Sequence, residues 1–436
     1  MANLMRTEWN RRAQSDAFYY VAFARPQSTE EEFDATAAET LPAIVSELGR
    51  LPLPECRPLR ALEIGCGPGR LMLPLSQTFG EIHGVDISDE MIAIARRRLA
   101  HVPHAHLHVN EGADLPAFEE GYFDAVYSYA VFQHIPEKAV VLGYLKEALR
   151  VLRPGGVARV QLRGTPPLAS EMASESVTWT GCYFTVSEVV SFCRESGALL
   201  LAVSGEDTQY LWVTLGKPEG LPEPGASPVL VGVTSAVTFE KTVPNHGSGA
   251  ALSLWLAGLP MGADLSSLEV CFDGAPSMGC WLSPRREGGG LQLNALLPRW
   301  VTPGIRLVTL RFQGRSVAGE HSIQVVDTPY CPRIVSVRDG VDLTSGQIRS
   351  NSMKILLEDV ADPGGVEFHS GKVVLPLAAR VLVSGVEDRW EYEVQVPLAV
   401  LDGDHVLTVK LAGGASVAGR FAVERDGGWA SARAAL

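Results

Sequence analysis

The hydrophobic rhythm of the chain changes once, and that change limits the possible fold more than any other feature. Up to residue 217 helical and strand periodicities alternate, whereas from 229 to 424 the sequence breaks into short β-branched runs separated by Gly, Pro and Asp turns. One layered architecture does not accommodate both patterns, so an α/β region followed by an all-β region is expected. Between them stands Lys217 to Pro228, KPEGLPEPGASP, whose four prolines and two glycines predict a semi-stiff spacer. A length of 436 residues agrees with about three domains.

The all-β region repeats itself. Pro298-Arg-Trp-Val-Thr-Pro-Gly304-Ile-Arg-Leu-Val-Thr-Leu-Arg-Phe matches Pro397-Leu-Ala-Val-Leu-Asp-Gly403-Asp-His-Val-Leu-Thr-Val-Lys-Leu, and both copies then reach Ser-Val-Ala-Gly, at Ser316 to Gly319 and Ser416 to Gly419. The period is about 100 residues, with roughly seven short strands per copy and in/out alternation in each. This resembles tandem immunoglobulin-like sandwiches, expected over 229–327 and 331–424, of the kind that lacks the Cys-Trp-Cys spacing of antibody domains. Trp255, Trp281 and Trp300 in the first copy are open to two roles, a sugar-stacking platform or core filling.

In the α/β region, Ser28-Thr-Glu-Glu-Glu32 offers two overlapping capping boxes for an amphipathic helix ending near Gly49. Next, Ala61-Leu-Glu-Ile-Gly-Cys-Gly-Pro-Gly-Arg70 reads as an apolar strand, a glycine turn and a helix over Leu71 to Phe79. The spacing is G-x-G-x-G, not the G-x-G-x-x-G of a dinucleotide site, which disfavours an NAD(P)-dependent reductase. The strand Glu81 to Val85 ends in Asp86, ahead of the capped helix start Ser88-Asp-Glu-Met-Ile. A carboxylate there offers two acceptors to a pair of ribose hydroxyls. Asn110-Glu-Gly-Ala-Asp-Leu-Pro116, Gly121-Tyr-Phe-Asp-Ala-Val-Tyr-Ser-Tyr129 and Leu152-Arg-Pro-Gly-Gly156 follow in order, the last preceding a fifth strand over Val157 to Leu162.

These five motifs, in this order, resemble class I S-adenosylmethionine-dependent methyltransferases, small-molecule enzymes with a Rossmann-like, seven-stranded mixed sheet. The resemblance covers residues 55–217, with Gly197 to Leu215 supplying two final strands of an antiparallel edge, and residues 5 to 22 look like the lid helix within an N-terminal segment, 1–54. It implies a cofactor site made by Glu63, Gly65, Cys66, Gly67, Gly69, Asp86, Ile87, Met91, Glu111, Gly112, Ala113 and Tyr129. Glu111 departs from the Asp more usual in the family. The sandwiches are then expected to position a substrate or a partner, a second copy of the chain included.

Methyl transfer from a sulfonium needs alignment above all, so a base is optional. If the acceptor is a hydroxyl, His134 in Val131-Phe-Gln-His-Ile-Pro136 is the best-placed proton acceptor, although a histidine there also serves to orient a loop or pack on the cofactor. Arg163, Tyr19, Tyr20 and Tyr183 are candidates to line the acceptor pocket, with ion pairing or lid packing as their other roles. The acceptor, a small metabolite or a saccharide methylated on O or N, is not named by these residues. A cofactor-binding scaffold without turnover is the other expectation.

Composition removes further classes. With 37 Lys plus Arg against 50 Asp plus Glu the net charge is -13, which repels a phosphate backbone. No run approaches the ~18 apolar residues of a spanning helix, and Met1 to Arg12 lacks the apolar stretch of a signal peptide, so no membrane association and a cytoplasmic location are expected. Seven scattered cysteines without a C-x-x-C pair signal neither zinc nor a disulfide framework. His104, His106 and His108 alternate along a strand, hence share one face, and are open to binding a metal there; no carboxylate or cysteine completes the set, so no metal is expected.

Overall fold

The computed structural model describes residues 2–22, 27–51, 58–112, 114–167, 178–220, 227–285, 290–341 and 345–425. Contacts divide the chain into two compact units, Met1–Ala17 with Phe33–Thr328, and Phe18–Glu32 with Pro329–Leu436. The division therefore falls at Thr328, not within Lys217 to Pro228, and the N-terminal segment is shared between the units. No described helix is long and apolar enough to cross a membrane.

The N-terminal elements are α1 (Ala2–Ala22), kinked at Asp16, α2 (Glu30–Ala35) and α3 (Ala37–Leu48). Thr29 and Glu32 form the expected capping box. The helix expected to run unbroken to Gly49 is interrupted at Thr36, whose N–H and hydroxyl both donate to the Phe33 carbonyl and tighten the turn. The α/β elements follow as β1 (Arg60–Ile64), α4 (Met72–Leu75), β2 (Glu81–Asp86), α5 (Asp89–Arg98), β3 (Ala105–Val109), β4 (Phe123–Ser128), α6 (Lys138–Val151), β5 (Leu152–Leu162), α7 (Val186–Ser196), β6 (Leu199–Ser204) and β7 (Leu211–Gly216). Two boundaries differ from expectation. The α4 helix is a single turn, the chain continuing to Phe79 as turns, and β5 takes in the Leu152 to Gly156 motif because Leu152 pairs with Phe123.

Strand order in this region is β3-β2-β1-β4-β5-β7-β6, with β1 to β5 parallel and β6 and β7 antiparallel. The order reverses between β1 and β4, which opens a crevice at the carboxyl ends of the strands.

The sheet does not stop at β6. A first sandwich follows, with β8 (Val229–Ser235), β9 (Thr242–Pro244), β10 (Ala251–Ala257), β11 (Leu268–Phe272), β12 (Ala275–Met278), β13 (Trp281–Leu282), β14 (Leu291–Leu296), β15 (Gly304–Phe312), β16 (Arg315–Ser316) and β17 (His321–Val326). Its β13 pairs with β6 through Trp281 and Ala202, and the Val203 N–H donates to the Cys280 carbonyl at 2.8 Å. One eleven-stranded sheet results, ending β6-β13-β14-β10-β8, so the expected seven strands are part of a larger sheet. The core is continuous as well, from Leu62 and Val160 through Leu200 to Leu254, Leu293 and Leu310.

Helix α3 reinforces the junction. Buried Glu47 pairs with buried Arg50 at 2.5 Å, Arg50 donates to the Leu282 carbonyl at 2.6 Å, and the Trp281 indole N–H donates to Glu47 at 3.3 Å. Trp281 is thus a junction residue, a role outside both sequence expectations, while Trp300 is 53% exposed beside Phe272.

The second unit holds β18 (Arg333–Asp339), β19 (Gln347–Ile348), β20 (Ser352–Glu358), β21 (Glu367–Ser370), β22 (Val373–Leu375), β23 (Leu377–Ser384), β24 (Arg389–Gln395), β25 (Gly403–Lys410) and β26 (Ser416–Val423). Its sheets run β18-β20-β24-β23 and β19-β26-β25-β21-β22 over a core of its own, centred on Ile355, Phe368, Tyr392 and Leu407. The first sandwich has the same plan, β8-β10-β14-β13 opposite β9-β17-β15-β11-β12. The sequence repeat therefore corresponds to equivalent strands, β15 and β25, each opened by a glycine at positive φ, Gly304 at 127° and Gly403 at 124°.

Candidate functional site

The crevice is built from strand ends. Beyond β1 the chain turns through Gly65 and Gly67 at φ 72° and 51°, a conformation that L side chains rarely adopt. A Cβ on Gly65 would also meet Val131 at 2.3 Å. The turn is fastened to β2: Gly65 and Cys66 N–H groups donate to the Val85 carbonyl, and the Gly67 N–H donates to Asp86 Oδ2 at 2.8 Å. Asp86 Oδ1 accepts the Ser88 N–H at 2.9 Å, and the Ser88 hydroxyl caps α5 through the Met91 N–H. Burial raises the Asp86 pKa against the pull of these amides.

Beneath the turn lies Glu63, buried on β1. Burial raises its pKa from 4.5 to about 8, outweighing nearby Tyr127 and Arg70. Its Oε2 and the Tyr127 hydroxyl are buried and form no well-aligned hydrogen bond among the described residues, although the two side chains stand close enough to interact. Such a carboxylate, next to bare backbone, suits a cationic nitrogen. Cys66 is buried, with its sulfur close to Gly84, and its thiol donates to the Gly67 carbonyl of the turn at 3.7 Å.

The other expected cofactor residues follow the same strand ends. Ile87 and Met91 lead into and line the start of α5, Met91 being buried. Tyr129, just past β4, stacks on Trp212 at 5.5 Å and lies under Arg70. Glu111 is exposed and Gly112 half-buried after β3, while Ala113 lies outside the described residues. Asn110, not singled out from sequence, secures this loop: its side-chain amide donates to the Gly112 carbonyl at 3.0 Å and the Tyr144 hydroxyl at 2.8 Å.

Helix α1 supplies a second missed set. Arg6 donates to the Ile87 and Asn110 carbonyls, Asn10 bonds both Ser88 and Asp89, and Gln14 donates to Glu90. Their spacing of four places them on one helix face, the signal by which the sequence discloses them.

His134, just beyond β4, is buried in an aromatic cluster. Trp9 meets its ring edge-on at 5.2 Å, Trp179 lies 5.0 Å away, and Arg12 sits over both indoles. His134 Nδ1–H donates to the Trp179 carbonyl at 2.7 Å, leaving Nε2 to accept from Gln133 at 3.3 Å. Burial, with Arg12 and Arg163 nearby, lowers its pKa to about 4. Arg163 is buried at the end of β5 and donates to the Thr165 carbonyl. Tyr183 packs instead on Lys138, and Tyr19 and Tyr20, edge to face at 5.2 Å, belong to the other compact unit. His104, just before β3, bonds the Ser76 carbonyl at 2.9 Å.

Residues 62–160 match the family described as a methyltransferase domain. Over 99 residues the chain is 38% identical to an uncharacterized 37.1 kDa transposon protein of Streptomyces fradiae, covering 22% of this chain and 28% of that one. It is 33% identical over 101 residues to a demethylmenaquinone methyltransferase of Staphylococcus haemolyticus, covering 22% and 41%. It is 27% identical over 115 residues to a ubiquinone biosynthesis O-methyltransferase of Xanthomonas oryzae, covering 26% and 47%. The chain thus spans less than half the length of these curated relatives. Among solved structures, magnesium protoporphyrin IX methyltransferase from Synechocystis with bound SAH aligns at a TM-score of 0.37 and 16% identity, over 49% of this chain and 99% of that one. Residues 62–160 are therefore similar to a methyltransferase domain.

Proposed function

We propose that the chain transfers a methyl group from S-adenosylmethionine to O or N of a small metabolite or saccharide. The observation that carries this reading is the buried Glu63 oxygen, without a well-aligned hydrogen bond, beside a turn of positive-φ glycines closed by Asp86. Glu63 takes the cofactor's ammonium, the Gly65 to Gly69 backbone lies along its methionine part, and Asp86 receives the ribose hydroxyls. Ile87, Met91, Tyr129 and the Glu111 to Ala113 loop border the adenosine. When bound, the cofactor supplies a methyl carbon on a sulfonium that departs as a neutral thioether, so the protein's share is alignment and exclusion of water.

His134 is assigned to positioning. A neutral imidazole with a pKa of about 4 and both nitrogens engaged is a weak base, and its ring with Trp9 and Trp179 shapes the acceptor wall. His134→Gln should leave the pH profile of turnover unchanged while raising KM for the acceptor; loss of the acid-side limb, on which turnover rises with pH, would restore the base role. Arg163 remains a candidate to hold an anionic acceptor.

The two sandwiches share an order of four strands opposite five in which the first, third, seventh and sixth strands form one sheet, as in immunoglobulin-like modules. We read them as such modules, working in the cytoplasm to position an acceptor, a partner or a second copy of the chain. Calorimetry of the full chain with S-adenosylmethionine tests the assignment: one site is expected, abolished in Asp86→Ala, followed by labelled-methyl transfer across metabolite and saccharide pools. Binding without transfer to any acceptor would favour the scaffold reading, and absence of binding would overturn both.

A further inference from the structure

We propose that the amino-terminal end of β2 and the adjoining stretch of β3 hold a divalent transition-metal ion of the zinc type, with Glu81, His83 and His106 as ligands. The site is separate from the cofactor crevice: Glu81 opens β2 and Asp86 closes it, ~16 Å along the strand. It does not rest on the methyltransferase reading.

Strand register creates the cluster. Glu81 and His83 share one face of β2, His106 and His108 the same face of β3, and His83 pairs directly with His106. The carboxylate missing from the His104 to His108 run thus arrives from the neighbouring strand. The ligating atoms of Glu81, His83 and His106 lie within 4.8 Å of one another. Ligand atoms around a tetrahedral ion with ~2.0–2.1 Å bonds stand closer than this, so a small rotation of His106, which is exposed, completes the approach.

The surroundings are those of an oriented ligand set. Glu81 Oε1 accepts from Tyr122 at 2.5 Å and contacts His83 Nε2 at 2.7 Å, while Arg60 pairs with Oε2 at 3.0 Å. Arg60 opposes a cation but fixes the carboxylate, leaving Oε1 toward the imidazoles. His83 Nδ1 contacts His108 Nε2 at 3.1 Å, and Phe118 and Phe123 wall the rings. A metal on His83 Nε2 takes the place of the proton shared with Glu81. The His83 proton then sits on Nδ1, where His108 Nε2 accepts it and His108 carries its own proton on Nδ1, so both rings stay neutral and His108 orients His83. Two imidazoles and a carboxylate suit zinc and its first-row neighbours, not magnesium or calcium.

The test uses the untagged full chain, stripped with a chelator and titrated with Co²⁺ and then Zn²⁺. One Co²⁺ per chain is expected, with ligand-field absorption that Zn²⁺ displaces. His106→Ala and Glu81→Gln should each weaken binding at least ~10-fold, whereas His104→Ala should not. Removing the exposed His106 leaves the core intact, which circular dichroism and S-adenosylmethionine affinity check independently. Absence of saturable binding, or equal affinity in wild type and His106→Ala, overturns the proposal.

Discussion

The two sandwiches have one strand plan and opposite fates at one edge. In the first, β13 is two residues long and joins β6, so the sandwich extends the α/β sheet. In the second, the equivalent β23 is eight residues long and, among the described residues, no strand pairs with its outer side. Bulges between Leu377 and Ala379 and between Leu382 and Ser384 disturb that edge, a common protection of an open strand. The difference teaches that a repeated module contributes to a fold according to what its edge meets, since the two copies bury comparable sheets.

The strongest way to break this comparison is truncation. Ending the chain after Thr328 should leave the first unit folded, whereas ending it after Gly220 uncovers β6 and the side of the core around Leu200 and Val203, and should give insoluble or non-cooperative protein. Soluble yield and the sharpness of the thermal transition decide; a cooperative 1–220 fragment would refute the shared core.

If the first unit melts as one body, a charge at its crevice must act on the transition that also contains the first sandwich. Glu63 has a raised folded-state pKa, so its contribution is fully present below 4.5 and is lost as pH rises toward about 8. Stability of the first transition should fall over that window by on the order of 4 kcal/mol, and Glu63→Gln should flatten the dependence, with the second transition unaffected. Calorimetric melting at several pH values measures both.

Glu47→Ala sharpens the junction itself. It strands buried Arg50 and removes the Trp281 partner, so a loss of about 3 kcal/mol is expected in denaturant unfolding of the first unit alone. The reciprocal probe is Asp339→Ala at the end of β18, where the carboxylate accepts the Val341, Arg349 and Ser350 N–H groups. About 2 kcal/mol should be lost from the second unit only. Ser235 holds the equivalent place at the end of β8, accepting from Val237 and Thr238 at 3.2 Å, and its neutral hydroxyl to Ala should cost less, about 1 kcal/mol.

What the sequence disclosed was local in origin. The strand, glycine turn and Asp86 lie within 27 residues, Arg60 to Asp86, and their geometry follows from backbone rules that each residue carries alone. The 100-residue repeat was legible because equivalent strands keep equivalent alternation, as β15 and β25 show. The β6–β13 pairing was not, since alternation tells which face of a strand is buried and nothing about which edge is occupied. Glu47, Arg50 and Trp281 meet across some 230 residues of sequence. Glu81 and His83 were overlooked for the same reason: register between β2 and β3, not spacing within either, joins them to His106.

The ladder between Ala202 and Trp281 has an evolutionary corollary. A domain hung on a tether can be exchanged for another without loss, but here the α/β half ends in an edge shaped for one neighbour. Any shuffled or engineered hybrid must carry Cys280 to Leu282 and the Glu47–Arg50 latch along with the α/β half, so inheritance acts on the pair as one unit.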